Sequence, residues 1–380
     1  MTVTRQHALD ALDLFLPKAA NYARYRNFDT GPDGPLHVSR LSPYLRTRLI
    51  NEEEVCTAVI ARHGIHAPEK FLQEVAWRTY WKGWLELRPG VWDACRESLS
   101  SLQADDDCQR AMRGESGIDC FDAWCRELLE TGYLHNHARM WFASIWIFTL
   151  RLPWELGADF FLRHLLDGDP ASNTLSWRWV AGLHTPGKHY LARAENIRTF
   201  TLGRFDPQGQ LDESAAPLPP DFIPAANAPD FPKPPPSGAR LGHLLLPDDL
   251  SPLPSGPQGG PSLTATAGWM PTATAALSEK VRRFLSDALD DALTRSRGEK
   301  LSGDLSSAAA DWARRWGLEG IVITRPTVGP WRELLENFDP GLPVYHHVSA
   351  WDRRLWPHAT AGYFRFRSQL PKIFNEIRSS

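Results

Sequence analysis

The chain has 380 residues, of which 42% are hydrophobic and 23% are charged, and this composition excludes a disordered or fibrous protein. The length predicts two domains, since a typical domain holds about 150 residues. The 42 lysines and arginines are balanced by 45 aspartates and glutamates, so no global basic field attracts nucleic acid or anionic lipid. Any such partner must be held by a local patch.

The amino terminus lacks the features of a signal peptide, because Asp10 and Asp13 interrupt its apolar stretch. We therefore expect a cytoplasmic protein. The longest apolar run covers residues 140–150, between Arg139 and Arg151, and a membrane helix needs about 20 residues. This run is predicted to be a buried helix, and no membrane partner is expected.

Apolar residues recur at helical spacing through the first 205 residues. Between residues 6 and 24, Leu9, Leu12 and Leu16 lie three or four positions apart, which is the period of an amphipathic helix. The same spacing recurs in four further segments, at 69–87, 119–132, 134–150 and 155–166. No intervening segment alternates as a strand would. The sequence predicts a mainly α fold, with an all-helical domain over residues 1–205.

Proline dominates the middle of the chain, where fifteen of the 31 prolines lie between Pro207 and Pro261. A proline has no backbone N–H, so a segment this rich in proline is not expected to form a helix or a strand ladder. Residues 206–270 are therefore predicted to be a linker or an extended arm.

Residues 271–380 combine helical and strand-like patterns. Helical spacing recurs in three segments, at 274–296, 304–316 and 329–337. Two β-rich runs, EGIVIT at 319–324 and PVYHHV at 343–348, are predicted to be strands. We expect these elements to form a smaller C-terminal α/β unit.

The five cysteines show no CxxC spacing, and none follows Cys125. Reduced thiols are expected in a chain that is long enough to form its own core. A zinc or iron–sulfur site made of four thiolates would need four of the five. Neither a metal site nor an iron–sulfur cluster is therefore expected.

The most specific motifs lie in the second half of the helical region. They read TGYLHNHARM at 131–140, DGDPASN at 167–173 and WRW at 177–179. In this order and spacing they resemble the photolyase and cryptochrome flavoproteins, whose helical FAD-binding domain carries TGWMHNRxRM, DGDxAxN and WQW. The resemblance extends to VSRLSPYL at 38–45 and FLQEVAWRTYW at 71–81. It implies that residues 1–205 bind FAD.

The resemblance assigns FAD contacts to the matching positions. Ser39 and Ser42 belong to a loop that would receive the diphosphate, while Val38 lacks the hydroxyl of the family's threonine. Arg139 and Asp167 match an ion pair beside the flavin ring, where a buried guanidinium favours a negatively charged reduced flavin. The implied FAD-binding residues are Tyr22, Val38, Ser39, Arg40, Leu41, Ser42, Phe71, Arg78, Trp81, Tyr133, Asn136, Arg139, Asp167, Asp169 and Asn173.

The family's substrate hole above the flavin also has counterparts in this chain. The implied lining residues are Glu74, Trp77, Asn136, His137, Met140 and Trp179. His137 replaces a family arginine, and a proton donor, a dimer contact and an ordinary polar lining residue all remain open. Asn136 and Met140 stand where enzymes for 6-4 photoproducts have histidines, so that repair reaction is not expected. Arg26 matches a phosphate contact.

Light-driven family members reduce their flavin through a row of three tryptophans. Trp177 and Trp154 match the first two, and the third position falls near Ser101. The relay is interrupted unless one of three other rings, Trp92, Trp141 or Trp146, completes it.

Full-length family members carry an amino-terminal α/β domain, often with an antenna cofactor, ahead of the flavin domain. This sequence shows no counterpart before its first helix, so no antenna chromophore is expected. We hypothesise that residues 271–380 dock on the surface that such a domain would cover, because a large exposed apolar patch is unfavourable.

Three functions remain open. The first is a photoactive enzyme, a lyase or an oxidoreductase, that passes electrons from FAD to a small molecule or nucleobase, in DNA photorepair or light sensing. The second is a light-independent redox enzyme for a small metabolite, and the third is a non-catalytic FAD protein. Charge disfavours DNA as a partner, since residues 1–205 hold 24 basic and 25 acidic residues, whereas duplex DNA needs a basic cluster.

Overall fold

The computed structural model describes residues 3–35, 37–253, 263–271 and 277–379. Up to residue 205, the described residues form helices and loops without a strand, as predicted. The helices are α1 (Arg5–Phe15), α2 (Tyr22–Tyr25), α3 (Ser42–Arg46), α4 (Glu52–His63), α5 (Glu69–Glu86), α6 (Gly90–Ser101), α7 (Asp106–Arg113), α8 (Asp119–Thr131), α9 (Asn136–Ser144), α10 (Trp154–His164), α11 (Pro170–Ala181) and α12 (Ala194–Phe200).

The ends of two of these helices follow from local sequence. Pro17 breaks the longer helix predicted at the amino terminus, so that Leu16–Asn21 forms a 3₁₀ turn between α1 and α2. Asp169 caps α11, because its side chain accepts the backbone N–H of Ser172. Gly182 ends the same helix with a left-handed backbone. These signals fix where the DGDPASN segment enters its helix.

The apolar run at 140–150 is a buried helix, as predicted. It covers the end of α9 and a π-helical turn at Ile145–Thr149. Trp141, Phe142 and Trp146 are fully buried there. Across the described ranges, no helix has both the length and the hydropathy that crossing a membrane requires.

A five-stranded parallel sheet lies in the second half of the chain. Its strands are β1 (Leu241–Leu245), β2 (Leu263–Gly268), β3 (Glu299–Lys300), β4 (Gly320–Thr324) and β5 (Val344–His347). They lie in the order β3-β2-β1-β4-β5, and every neighbouring pair is parallel. The order reverses at β1, as in doubly wound α/β folds. The accompanying helices are α13 (Glu279–Ser296), α14 (Leu305–Trp316), α15 (Pro330–Leu335), α16 (Ala350–Leu355), α17 (Tyr363–Arg367) and α18 (Leu370–Ser379).

The expectation that residues 206–270 form no strand is wrong for β1 and β2. β1 is the central strand; it is buried throughout and pairs with both β2 and β4. Its sequence, LGHLL, contains no proline, so every residue keeps the N–H that a ladder needs. Prolines on both sides mask this short strand in the sequence. Residues 215–236, by contrast, run without helix or strand.

A buried ion network joins the sheet to the helical region. Arg48 lies 2.9 Å from Asp249, which follows β1, and 2.7 Å from Asp352 on α16. Glu52 on α4 is also near, at 3.2 Å, but without hydrogen-bond alignment. Burial would lower the pKa of Arg48, but the three carboxylates outweigh it and raise the pKa well above its usual value. The guanidinium is therefore charged and ties three distant segments together.

Replacing Arg48 with methionine should lower the free energy of unfolding by about 3–5 kcal/mol, because three carboxylates lose their buried partner. Urea unfolding followed by circular dichroism measures this change. The control is Arg110→Met, which removes an exposed cation paired with Asp107 and should cost less than about 1 kcal/mol. Equal losses for the two variants would contradict a special role for the network.

Candidate functional site

Arg139, which is half-buried, and the buried Asp167 form an ion pair between α9 and the loop before α11. Nη2 of Arg139 donates to Oδ2 of Asp167 at 3.0 Å, and Nε donates to the Leu134 carbonyl at 2.9 Å. Burial would raise the pKa of Asp167, but the adjacent guanidinium holds the pKa below its ordinary value. Both groups are therefore charged and fixed in orientation.

Asp169, two residues further on, contacts both α11 and α5. Oδ1 caps α11 by accepting the Ser172 N–H at 2.7 Å. Oδ2 lies 3.6 Å from Nζ of Lys82 and 3.8 Å from Nη1 of Arg78. Burial would raise the pKa of Asp169, but Lys82 and Arg78 hold it below the ordinary value. The motifs did not imply Lys82, although it follows Arg78 by one turn of α5 and shares its face.

The loop of residues 38–42 brings a fourth cation, Arg40, to this cluster. Arg40 has a left-handed backbone, with φ of 52°, and Ser39 Oγ accepts a backbone N–H of the same loop at 3.3 Å. The Arg40 guanidinium lies 5.0 Å from the centre of the Tyr133 ring, and that of Arg139 lies 5.6 Å from it. Tyr133 thus connects the loop to the ion pair on α9.

Tyr22 and Phe71 form an aromatic edge beside the charged cluster. Their ring centres are 5.2 Å apart in an edge-to-face contact. Burial, followed by the nearby charge of Glu74, raises the pKa of the Tyr22 hydroxyl, so this group is neutral. Glu74 itself is paired with Arg26 and, at 2.8 Å, with Lys70. The phenol and the carboxylate therefore lie at one end of the site.

Several buried polar atoms of the cluster have no hydrogen-bond partner in the part of the chain that the structure describes. They are Nε of Arg40, Nη1 of Arg78, Oδ1 of Asp167, Oδ2 of Asp169 and Oγ of Ser172. Burying such atoms is costly unless a partner satisfies them. The cluster holds four cations, Arg40, Arg78, Lys82 and Arg139, around Asp167 and Asp169, and Glu127 lies within electrostatic range of Arg40. This donor set fits an anionic ligand with a diphosphate, as FAD has.

Helix α9 divides its implied site residues between two faces. Asn136, Arg139 and Met140 are three and four residues apart and share one face, on which Asn136 is exposed. His137 lies on the other face, stacked on Trp141 with ring centres 4.0 Å apart. Its Nδ1 is 2.9 Å from a backbone carbonyl, and burial lowers its pKa. The structure therefore gives His137 a core environment, because one helical step turns a side chain by about 100°.

Asn173 points its amide toward the neighbouring helix. Nδ2 donates to the carbonyl of Ala158 on α10 at 2.7 Å, so one donor of the group is already used. Asn173 also lines a cavity of about 250 Å³ that lies between the helical region and the sheet unit, with Trp92 and Trp331 in its wall.

The implied relay tryptophans lie in different surroundings. Trp177 is buried, and its ring centre is 6.2 Å from that of Trp146, at an angle of 88°. Trp154 is buried under the guanidinium of Arg178, which is 5.7 Å from its ring centre. Trp179, implied as a lining residue of the substrate hole, stacks on Tyr190 with ring centres 5.9 Å apart. Trp146, which the sequence offered as a substitute, is thus in ring contact with Trp177.

The other implied FAD contacts are apolar. Val38 is half-buried and Leu41 is buried. Trp81 packs against His184 at 4.6 Å and against Trp77 at 5.8 Å, both edge to face. Within the described ranges, no three side chains of histidine, cysteine, aspartate or glutamate are grouped as metal ligands would be.

Comparison with known proteins points to one group of flavoproteins. The model for the FAD binding domain of DNA photolyase matches residues 71–213. A deoxyribodipyrimidine photo-lyase of Alkalihalophilus pseudofirmus is 33% identical over 54% of this chain and 43% of its own length. One from Thermus thermophilus is 32% identical over 64% of this chain and 56% of its own.

Among solved structures, a bacterial class III photolyase from Agrobacterium tumefaciens matches with a TM-score of 0.44 and 30% identity. The match covers 52% of this chain and 42% of that chain. The chain thus spans about half the length of the relatives that it matches.

Glu127 on α8 should make stability depend on pH. Burial, and then the charge of Asp29, raises its pKa to about 7, so the folded state binds its proton more tightly than the unfolded state. The free energy of unfolding should therefore fall as the pH rises between about 5 and 8, and Glu127→Gln should remove this fall. Urea unfolding across this range tests it. Glu130→Gln, an exposed neighbour on α8, should behave as wild type, and parallel curves for all three proteins would disprove the assignment.

Proposed function

From its similarity to the FAD binding domain of DNA photolyase, we propose that this chain is a flavoprotein of the photolyase and cryptochrome family and a light-driven FAD enzyme acting on a flat aromatic substrate beside Trp77. The observation that carries the proposal is the cationic cluster with unpartnered buried atoms around Asp167 and Asp169. Bound FAD would supply blue-light absorption and electron transfer to the substrate.

Different residues of the cluster would bind different parts of FAD. Arg40, with the hydroxyls of Ser39 and Ser42, would hold the diphosphate, because charged and N–H donors replace the water lost on burial. Arg139 would present a fixed positive charge to the ring, since Asp167 orients it. That charge favours adding electrons over removing them.

The substrate pocket that we propose lies along α5 and the end of α11. Trp77 and Trp179 are only partly buried, and a flat base would stack on their accessible parts. Glu74 would accept a hydrogen bond from the substrate. The relatives are named deoxyribodipyrimidine photo-lyase, and we propose a pyrimidine dimer in DNA as the first substrate to test.

A second candidate is a flavin enzyme that works in the dark on a small metabolite. The balanced charge of residues 1–205 favours it, because duplex DNA is held mainly by basic side chains. The buried position of His137 also favours it. His137 replaces a family arginine, so this position offers no exposed cation to a DNA phosphate. A metabolite that reduces the flavin without light and without oxygen would identify this activity.

The absorption spectrum tests the first proposal. Purified protein should show flavin bands, and blue light with an external reductant should bleach them. Asp169→Asn keeps a residue that can cap α11 but removes the carboxylate beside Lys82. It therefore tests the loss of the negative charge without the loss of the helix cap. The flavin content of this variant should be lower than that of the wild type, while its helix content stays constant. A colourless protein that takes up no added FAD would overturn the proposal.

The route of electrons to the flavin gives a further prediction. Trp177→Phe should abolish the bleaching, because it removes the first ring of the relay. Trp146→Phe and Trp154→Phe, measured in parallel by the initial bleaching rate, identify the ring that follows. Trp316→Phe is the control, since this ring is 45% exposed on α14. Unchanged bleaching in Trp177→Phe would exclude this route.

A further inference from the structure

We propose that Tyr363, on helix α17 of the sheet unit, is a positioning residue for Trp77 and forms one wall of the substrate pocket. The inference rests on the proposed function for the role of Trp77 as the ring that meets the substrate. It extends the pocket to a segment that none of the sequence motifs assigned to it.

The contact between the two rings is direct. Their centres are 3.5 Å apart, with an angle of 36° between the ring planes. Tyr363 is 9% exposed, and its hydroxyl donates to the backbone carbonyl of Gln73 at 2.9 Å. Gln73 lies one turn before Trp77 on α5. Tyr363 is therefore held at its ring and at its hydroxyl by the same helix.

The segment that carries Tyr363 is attached to α5 at several further points. Nε1 of Trp351 donates to Oγ1 of Thr79 at 2.7 Å, and the hydroxyl of Tyr80 donates to the carbonyl of Ala361 at 3.0 Å. Trp356 packs so closely on Gly83 that a Cβ there would lie 2.7 Å from Cδ1 of the ring. These contacts leave Tyr363 little freedom to move off Trp77, which suits a preorganised wall.

The arrangement covers only part of the Trp77 ring. Tyr80 and Trp81 contact it edge to face, at 6.2 and 5.8 Å, and Tyr363 lies over its face. Trp77 nevertheless remains only partly buried, whereas Tyr363 is buried. Part of the Trp77 side chain thus stays accessible, and the proposal places the flat substrate there, with Tyr363 as backing rather than as an occupant of the pocket.

The same end of the pocket is charged. Burial, followed by Glu74, raises the pKa of Tyr363, while Arg367 and Arg26 act in the opposite direction. The hydroxyl is therefore protonated and able to donate to Gln73. Tyr363 lies within electrostatic reach of the Arg26–Glu74 pair, which the proposed function places at the substrate.

Fluorine NMR of the full-length protein labelled with 5-fluorotryptophan tests the positioning without any substrate. Trp77→Phe identifies the Trp77 signal, which should be displaced by the ring current of Tyr363. Tyr363→Leu should shift and broaden this signal, whereas Tyr363→Phe, which keeps the ring, should leave it nearly in place. Phe364→Leu is the control, because Phe364 is 79% exposed on the same helix.

Binding supplies the second measurement. The probe is an oligonucleotide with one cyclobutane pyrimidine dimer, titrated in the dark. Tyr363→Leu should raise its Kd about 5- to 10-fold, the size of one lost aromatic contact, while Tyr363→Phe and Phe364→Leu should change it less than about 2-fold. Tighter binding by Tyr363→Leu would show that Tyr363 blocks the pocket and would overturn the proposal.

The two measurements separate this proposal from the function on which it rests. An unshifted Trp77 signal, in the wild type or in Tyr363→Leu, would falsify the positioning role even if the oligonucleotide binds. A Trp77 signal that responds to Tyr363→Leu, in a protein that binds no oligonucleotide, would sustain the positioning role and reject the pyrimidine dimer as substrate. If Tyr363→Leu does not fold, the displacement of the Trp77 signal in the unmutated protein decides the question.

Discussion

The arrangement of the whole chain depends on one buried cation. The Arg48 guanidinium contacts carboxylates from α4, from the loop after β1 and from α16. A buried charge is tolerated only when it is paired, so these three segments must meet before any of them is stable in the interior. The helical region and the sheet unit consequently share one hydrophobic core. The doubly wound sheet thus packs against the helical region that contains the proposed flavin site.

Helix α5 connects this shared core to the proposed flavin and substrate sites. One face carries Arg78 and Lys82, which pair with Asp169 near the proposed diphosphate. The helix also forms hydrogen bonds and a ring contact with residues 350–366, and these contacts hold Tyr363 against Trp77. The proposed cofactor and substrate residues are therefore held by one rigid element. Its orientation is set by both halves of the chain.

Predictions from the sequence were most accurate for helices and strands that depend on local patterns of residues. Apolar spacing predicted α1, α5, α8, α9 and α10 within an all-helical region, and the β-rich runs predicted β4 and β5. Prediction failed for β1, because five residues without proline carry little signal inside a proline-rich stretch. His137 shows another limit: the motif aligned it with a pocket residue, but the structure stacks it on Trp141.

The sequence by itself determined the helical fold class, the resemblance to photolyases and cryptochromes, and the charged residues of the DGDPASN segment, since each depends on short local patterns. Only the tertiary structure decided that Lys82 joins Asp169, that the sheet unit is fixed by Arg48, and that Tyr363 covers Trp77. These contacts join residues far apart in the chain. No local period or motif encodes them, because they arise only when buried charges and rings find partners in a common core.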